Sequence, residues 1–199
     1  MPASEGDTAI QRQWVFGYGS LVDATDLAGD LARHGLGLGD YRYCELMGFK
    51  RTWSVAMDNA LNEPGYKYYV DPQTHTRPDV FVAFVNLEPH DGETARGVSG
   101  ILFEVGPEAL SILDRRERNY HRCDVTPSIS AAVDGTVWTY IGRAEARARY
   151  EAGLASNRLV ISAAYRDLIE AAYAKARLPF DAELPANVRA LPLTRVDFD

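Results

Sequence analysis

Two stretches of this chain carry residue types able to do chemistry. The first is Gly17-Tyr18-Gly19-Ser20-Leu21, which follows the apolar run Trp14-Val15-Phe16 and precedes Asp23 and Leu27. Glycines let a chain turn sharply and let a ligand approach the backbone closely. A helix start just beyond adds unpaired N–H groups and a partial positive charge, suited to a carboxylate or phosphate. By spacing alone, these residues are better described as a tight strand-to-helix turn with a capping serine. Without a Gly-Lys-Ser/Thr they do not form a phosphate loop of the Walker type, which makes nucleotide binding the weaker idea. Nor is this a G-x-S-x-G elbow.

The second stretch runs from Leu113 to Arg122 and holds Asp114, Glu117, Tyr120 and four arginines. Asp114 and Glu117 are three apart and would share a helix face. Such charge density also describes a solvated, salt-bridged helix end. Glu117 falls near the helix C-terminus, where the macrodipole disfavours an anion. A carboxylate there is placed to accept a proton as a general base, while the neighbouring arginines act in the opposite sense. His34, His75, His90 and His121 have no ligand spacing, and His121-x-Cys123 is an isolated pair, so no metal or cofactor is expected. A Ser/His/Asp triad can be assembled from Ser20, but no order or spacing supports it. Trp53, Tyr66, Tyr68 and Tyr69 can be a stacking platform, though aromatic strands usually form core.

The elements that must position these residues read as strands mixed with a few helices. Strand patterns cover 14–19, 41–57 with a break at Gly48, 67–70, 80–87, 97–105, 120–125 and 136–141. Asp23 caps a helix over 24–34, ended by Gly35, Gly37 and Gly39. Gly106-Pro107 opens a second helix that ends near Asn119. A long third helix is expected over 157–177, capped by Asn157, with Val160, Ala164, Leu168 and Ala172 on one face. The tail, with Pro179, Pro185 and Pro192, reads as irregular. The absence of strict βαβ alternation predicts an α+β domain on a small mixed, mostly antiparallel β-barrel with flanking helices. Residues 1–13 read as a flexible arm and 14–199 as one domain.

The chain has 199 residues and a net charge of −7, with 46% hydrophobic and 25% charged residues. That composition excludes a disordered chain or a fibre. Its acidity gives no general attraction to nucleic acid or anionic lipid. No apolar run approaches a membrane span, and the polar start does not read as a secretory signal. Two cysteines, Cys44 and Cys123, fit reduced thiols in a cytoplasmic protein.

Taken together, the two stretches resemble blocks of the gamma-glutamylcyclotransferase superfamily. Val15 to Leu21 is similar to its Y-G-S-[LN] loop, the leucine form being most like the ChaC-type branch. Leu113-Asp114-x-x-Glu117, with Tyr120 and Arg122, resembles its L-D-x-x-E…Y segment. Ser162 to Pro179, with Tyr165, is similar to its C-terminal Y-x-x-[LI]-I-x-x-A…L-P segment. The resemblance implies a mixed fold around a small barrel and cyclisation of a gamma-glutamyl compound to 5-oxoproline with release of an amine, amino acid or dipeptide. It implies that Tyr18, Gly19, Ser20 and Leu21 hold the gamma-glutamyl part, Glu117 is the catalytic glutamate, and Tyr165 lines the pocket. The partner would then be a small gamma-glutamyl substrate, with no nucleic acid or membrane involved. The alternative is a non-catalytic module of the same fold that binds a small carboxylate.

Overall fold

The computed structural model describes residues 12–64, 66–90 and 96–197. In chain order its elements are β1 (Gln13–Gly17), α1 (Ala24–Ala32), β2 (Tyr41–Leu46), β3 (Phe49–Asp58), β4 (Lys67–Val70), β5 (Phe81–Pro89), β6 (Val98–Val105), α2 (Pro107–Arg116), β7 (Tyr120–Asp124), β8 (Thr136–Gly142), α3 (Ala144–Ala155), β9 (Leu159–Ser162), α4 (Ala163–Ala176), β10 (Arg189–Leu191) and β11 (Thr194–Asp197). The expected arm lies largely outside the described residues, and β1 begins within its last positions.

The strands pair as a five-stranded sheet β2-β6-β1-β8-β7, a four-stranded sheet β10-β9-β5-β3 and a two-stranded ribbon β11-β4. Most pairings are antiparallel; β1 with β8, β5 with β9 and β9 with β10 are parallel. This is the expected mixed, mostly antiparallel α+β architecture, with its strands in three sheets. Side chains join the two larger ones: Asn86 on β5 accepts from the Gly142 amide at 2.8 Å, and the Tyr120 hydroxyl donates to the Val85 carbonyl at 2.7 Å.

β5 and β6 are nearly continuous apolar runs because both of their faces are covered. Phe16, Phe103, Leu46, Leu102 and Tyr173 are fully buried in the shared core. Gly48 turns β2 into β3 at φ +76°, the left-handed conformation glycine adopts without steric cost. Cys44 and Cys123 are unpaired thiols on β2 and β7, the two edges of the five-stranded sheet. None of the described helices is long and apolar enough to cross a membrane.

Two expectations are corrected. The helix expected over 157–177 divides into β9 and α4. Asn157 has φ +54° and precedes a buried strand, Leu159-Val160-Ile161-Ser162, held between β5 and β10. The β-branched pair Val160-Ile161 packs well in such a strand, and Ser162 is the true cap. The tail is also more regular than its prolines suggest, since it supplies β10 and β11. α3 has no counterpart in the sequence reading. It buries Ala146, Tyr150 and Gly153, and two small residues of three leave little apolar stripe to detect.

Candidate active site

The ends of β1, α2 and β9 bring the three sequence blocks to one place. After β1, Gly19 precedes a short 3-10 turn, Ser20–Val22, and Asp23 then caps α1 through the amides of Thr25 and Asp26 at 2.8 and 3.4 Å. Glu117 stands just past α2, its amide still donating to the Leu113 carbonyl at 2.9 Å and its carbonyl accepting from Tyr120 at 2.9 Å. Ser162 ends β9 and caps α4 by accepting from the Tyr165 amide at 3.4 Å, while donating to the Leu193 carbonyl at 3.1 Å. Tyr165 is therefore the third residue of α4, at the helix start that faces the loop.

Glu117, Ser20, Tyr165 and Tyr120 border a cavity of about 700 Å³, within the usual range for small-molecule sites. The same four also border a narrow recess of about 30 Å³, whose walls include Tyr18, Gly19, Leu21 and Tyr140. Tyr18, Gly19, Ser20, Leu21, Glu117 and Tyr165, the site residues implied by the family resemblance, thus all lie at the cavity or its inner recess.

Their roles differ. The Tyr18 hydroxyl donates to the Tyr140 carbonyl at 2.6 Å and Leu21 is buried, so both anchor the loop. Gly19 has φ −124°, so no left-handed conformation requires a glycine there. The requirement is space: a Cβ would stand 2.8 Å from Val85 Cγ2. Ser20 Oγ accepts from Arg116 at 3.4 Å, and Arg116 Nε lies 3.4 Å from Glu117 Oε1. The Glu117 side chain is 17% exposed, sheltered yet open to the cavity.

The Tyr165 ring packs edge-on against Trp53 and Phe84, with centroids at 6.1 and 5.1 Å. Its hydroxyl has no hydrogen-bond partner among the described residues, and burial, then the Glu117 charge, push its phenol far above the ordinary value. It is thus a protonated donor at any working pH.

Asp114 does not join Glu117 in the cavity. It accepts from Arg122 and from the Tyr140 hydroxyl, both at 2.9 Å, and ties α2 to β7 and β8. Of the aromatic group, Tyr66 and Tyr69 line the cavity, Trp53 is core, and Tyr68 faces Arg77. His34, His75, His90 and His121 are all exposed and outside the cavity. Among the described residues no group of His, Cys, Asp or Glu is clustered to hold a metal ion.

The sequence reading missed Asn119, Arg51 and Lys67. Asn119 is 5% exposed; it donates to the Tyr66 hydroxyl at 2.9 Å and accepts from Arg149 at 3.1 Å, fixing the wall beside Glu117. Arg51 donates to the carbonyls of Tyr18 and Ser99 at 3.1 and 2.6 Å, and to the Tyr173 hydroxyl at 2.6 Å, which pins the loop from behind. Its signal was the alternation Arg51-x-Trp53-x-Val55, which puts a charge on the buried face of β3. Lys67 had no signal beyond its place at the start of a strand.

No protein-family model matches the chain, and no curated protein matches it in sequence. Solved structures do. A gamma-glutamyl cyclotransferase is similar with a TM-score of 0.53 at 12% identity, over 85% of this chain and 82% of that one. A gamma-glutamyl cyclotransferase specific to glutathione, from yeast, is similar with a TM-score of 0.51 at 14% identity, over 86% of this chain and 90% of that one. The chain therefore has the gamma-glutamyl cyclotransferase fold.

Proposed function

We propose that the protein is a gamma-glutamylcyclotransferase, a cyclising lyase that converts a small gamma-glutamyl compound to 5-oxoproline and a free amine. The observation that carries this reading is the convergence of Glu117, the Tyr18 to Leu21 loop and the unpartnered Tyr165 hydroxyl on one cavity. The reaction asks for little else. The substrate's own α-amine is the nucleophile, so the protein's main task is to fold the chain so that this nitrogen faces the γ-carbonyl.

Glu117 takes a proton from the α-ammonium group, and the freed amine attacks the γ-carbonyl carbon. A C–N bond closes the five-membered ring and the carbonyl oxygen becomes an oxyanion. The backbone amides of Gly19 to Leu21 and the Tyr165 hydroxyl are the donors we assign to the γ-glutamyl part and that oxyanion. Protonated Glu117 then returns its proton to the departing nitrogen as the original amide bond breaks. The ring nitrogen must shed one further proton to become a lactam N–H; Glu117 relays this one too, and the amine departs as an ammonium, so that two protons pass from one nitrogen to the other and none is left over. Two unpaired thiols suit a reducing compartment, and we place the protein in the cytoplasm.

The test is a panel of gamma-glutamyl amino acids, gamma-glutamylamines and glutathione, with 5-oxoproline and free amine quantified together. Equimolar release from at least one member is expected. Binding of panel members without 5-oxoproline would make the domain a binding module instead.

A further inference from the structure

The cavity departs in charge from the rest of the molecule. The chain carries −7, yet the charged residues lining the cavity are four cations, Lys67, Arg116, Arg118 and Arg195, against Asp26, Glu117 and Asp197. Three of the cations are engaged. Arg116 reaches Ser20 and Glu117. Arg118 donates to the Pro64 carbonyl at 3.1 Å. Arg195 binds Asp197 at 2.7 Å.

Lys67 differs from them. In the β4–β11 ribbon it stands directly opposite Asp197, a pairing that normally brings two side chains together on one face. Arg195 holds that carboxylate, and Lys67 turns to aromatic rings, its Nζ 4.4 Å from the centre of Phe84 and 5.7 Å from that of Tyr66. Among the described residues it has neither a hydrogen bond nor an ion pair. An ammonium group held by ring faces keeps its N–H donors unused and is pre-positioned for an anion. Its surroundings tell the same story: burial, and then the charge of Arg195, bring its pKa down to about 8, which leaves it charged at neutral pH.

We propose that Lys67 anchors a carboxylate on the departing part of the substrate, so that the preferred substrates are gamma-glutamyl amino acids or peptides, not gamma-glutamyl amines with an uncharged leaving group. This rests on the cyclotransferase reading. In that reaction the departing nitrogen must lie at Glu117 to receive its proton, and its substituent then extends from the loop into the wider cavity. Lys67 is on that wider wall and absent from the inner recess that the loop borders. Glu117 lines the same cavity, and its charge acts on Lys67.

The experiment compares gamma-glutamyl-alanine with gamma-glutamyl-ethylamine on wild type, Lys67→Met and Lys67→Arg, by 5-oxoproline release and by calorimetric binding. We expect wild type to favour the alanine compound. Lys67→Met should lower the ratio of the two kcat/KM values about tenfold or more, the scale of one charge-assisted hydrogen bond, mainly through KM. Lys67→Arg should restore most of it. Equal losses on both substrates would overturn the proposal, because Lys67 would then serve the γ-glutamyl part they share; an unchanged ratio would overturn it too. Should wild type bind both compounds and release 5-oxoproline from neither, the cyclotransferase reading fails while the carboxylate site is still decided by the ratio of dissociation constants. If wild type binds neither compound, both readings fall.

Discussion

Arg51 and Lys67 are two sheltered cations on consecutive strands, β3 and β4, that belong to different sheets, and their surroundings are opposite in kind. Arg51 lies behind the Tyr18 loop with its side chain fully covered, stacked on the rings of Tyr173 and Phe180 at 4.7 and 5.1 Å. It meets two carbonyls, a hydroxyl and the Asp181 carboxylate. Lys67 lies in front, on rings as well, with none of those partners. A satisfied buried charge is part of the frame that holds a site still. An unsatisfied one at a cavity wall lowers stability and is retained where a ligand supplies the missing partner.

That difference sets the largest expected effect. Arg51→Met removes four partners at once and leaves the single Tyr173 hydroxyl proton to serve the buried carbonyls of both Tyr18 and Ser99, so it should destabilise the fold by about 3 kcal/mol. Thermal or urea unfolding measures this directly. Lys67→Met should not lower stability at neutral pH. Its pKa of about 8 lies below the ordinary lysine value, so the folded state disfavours the charged form and removing that charge relieves a cost. A clear loss of Tm in Lys67→Met would erase the distinction between frame and ligand site.

The loop offers the next contrast. Gly19→Ala forces a methyl group against Val85 and displaces the backbone that Arg51 holds in place, and a shift of this size can cost activity about a hundredfold. Ser20→Ala removes only the long contact with Arg116, and a loss of about tenfold or less is expected. Measuring kcat/KM for both against one substrate, with melting curves as folding controls, ranks them. If Ser20→Ala is the more damaging at equal stability, the loop acts through its hydroxyl and not its backbone.

Much of this arrangement was legible in the sequence because it is local. The glycine turn after β1, the Asp23 cap and Pro107 at the start of α2 are each set by a few adjacent residues. The three chemical blocks could be named, though only through a family resemblance, since their meeting depends on contacts between distant segments. Sequence failed where tertiary packing decided. The run 159–162 has apolar residues that suit helix or strand, and burial between β5 and β10 selects strand. Lys67 gains meaning only because β11, in a tail read as irregular, occupies its natural counterion. Asp114 and Glu117 share a spacing but not a site, because Glu117 leaves the helix and Asp114 turns to Tyr140.

Two smaller effects sharpen the boundary between frame and site. Tyr165→Phe deletes a hydroxyl that has no hydrogen-bond partner among the described residues, so stability should hold while kcat/KM falls about tenfold. A matching loss of stability would make Tyr165 part of the frame. The last is a pH effect of a few-fold. Lys67 passes from charged to neutral as pH rises through about 8: burial, then Arg195 and Arg116, favour the neutral form, and Glu117 and Asp197 oppose them. KM for a carboxylate-bearing substrate should therefore rise as pH passes upward through about 8, relative to an uncharged comparator. Lys67→Met should flatten that relative rise.

The most direct measurement is made on Glu117→Gln, which keeps the shape of the side chain and removes its ability to accept a proton. With the best substrate of the panel, 5-oxoproline release is expected to fall at least about a thousandfold, within the range of lost general acid–base catalysis. Calorimetric affinity and melting temperature should stay close to wild type. Near wild-type turnover by Glu117→Gln would contradict the assignment of the base and, with it, the reaction proposed for this cavity.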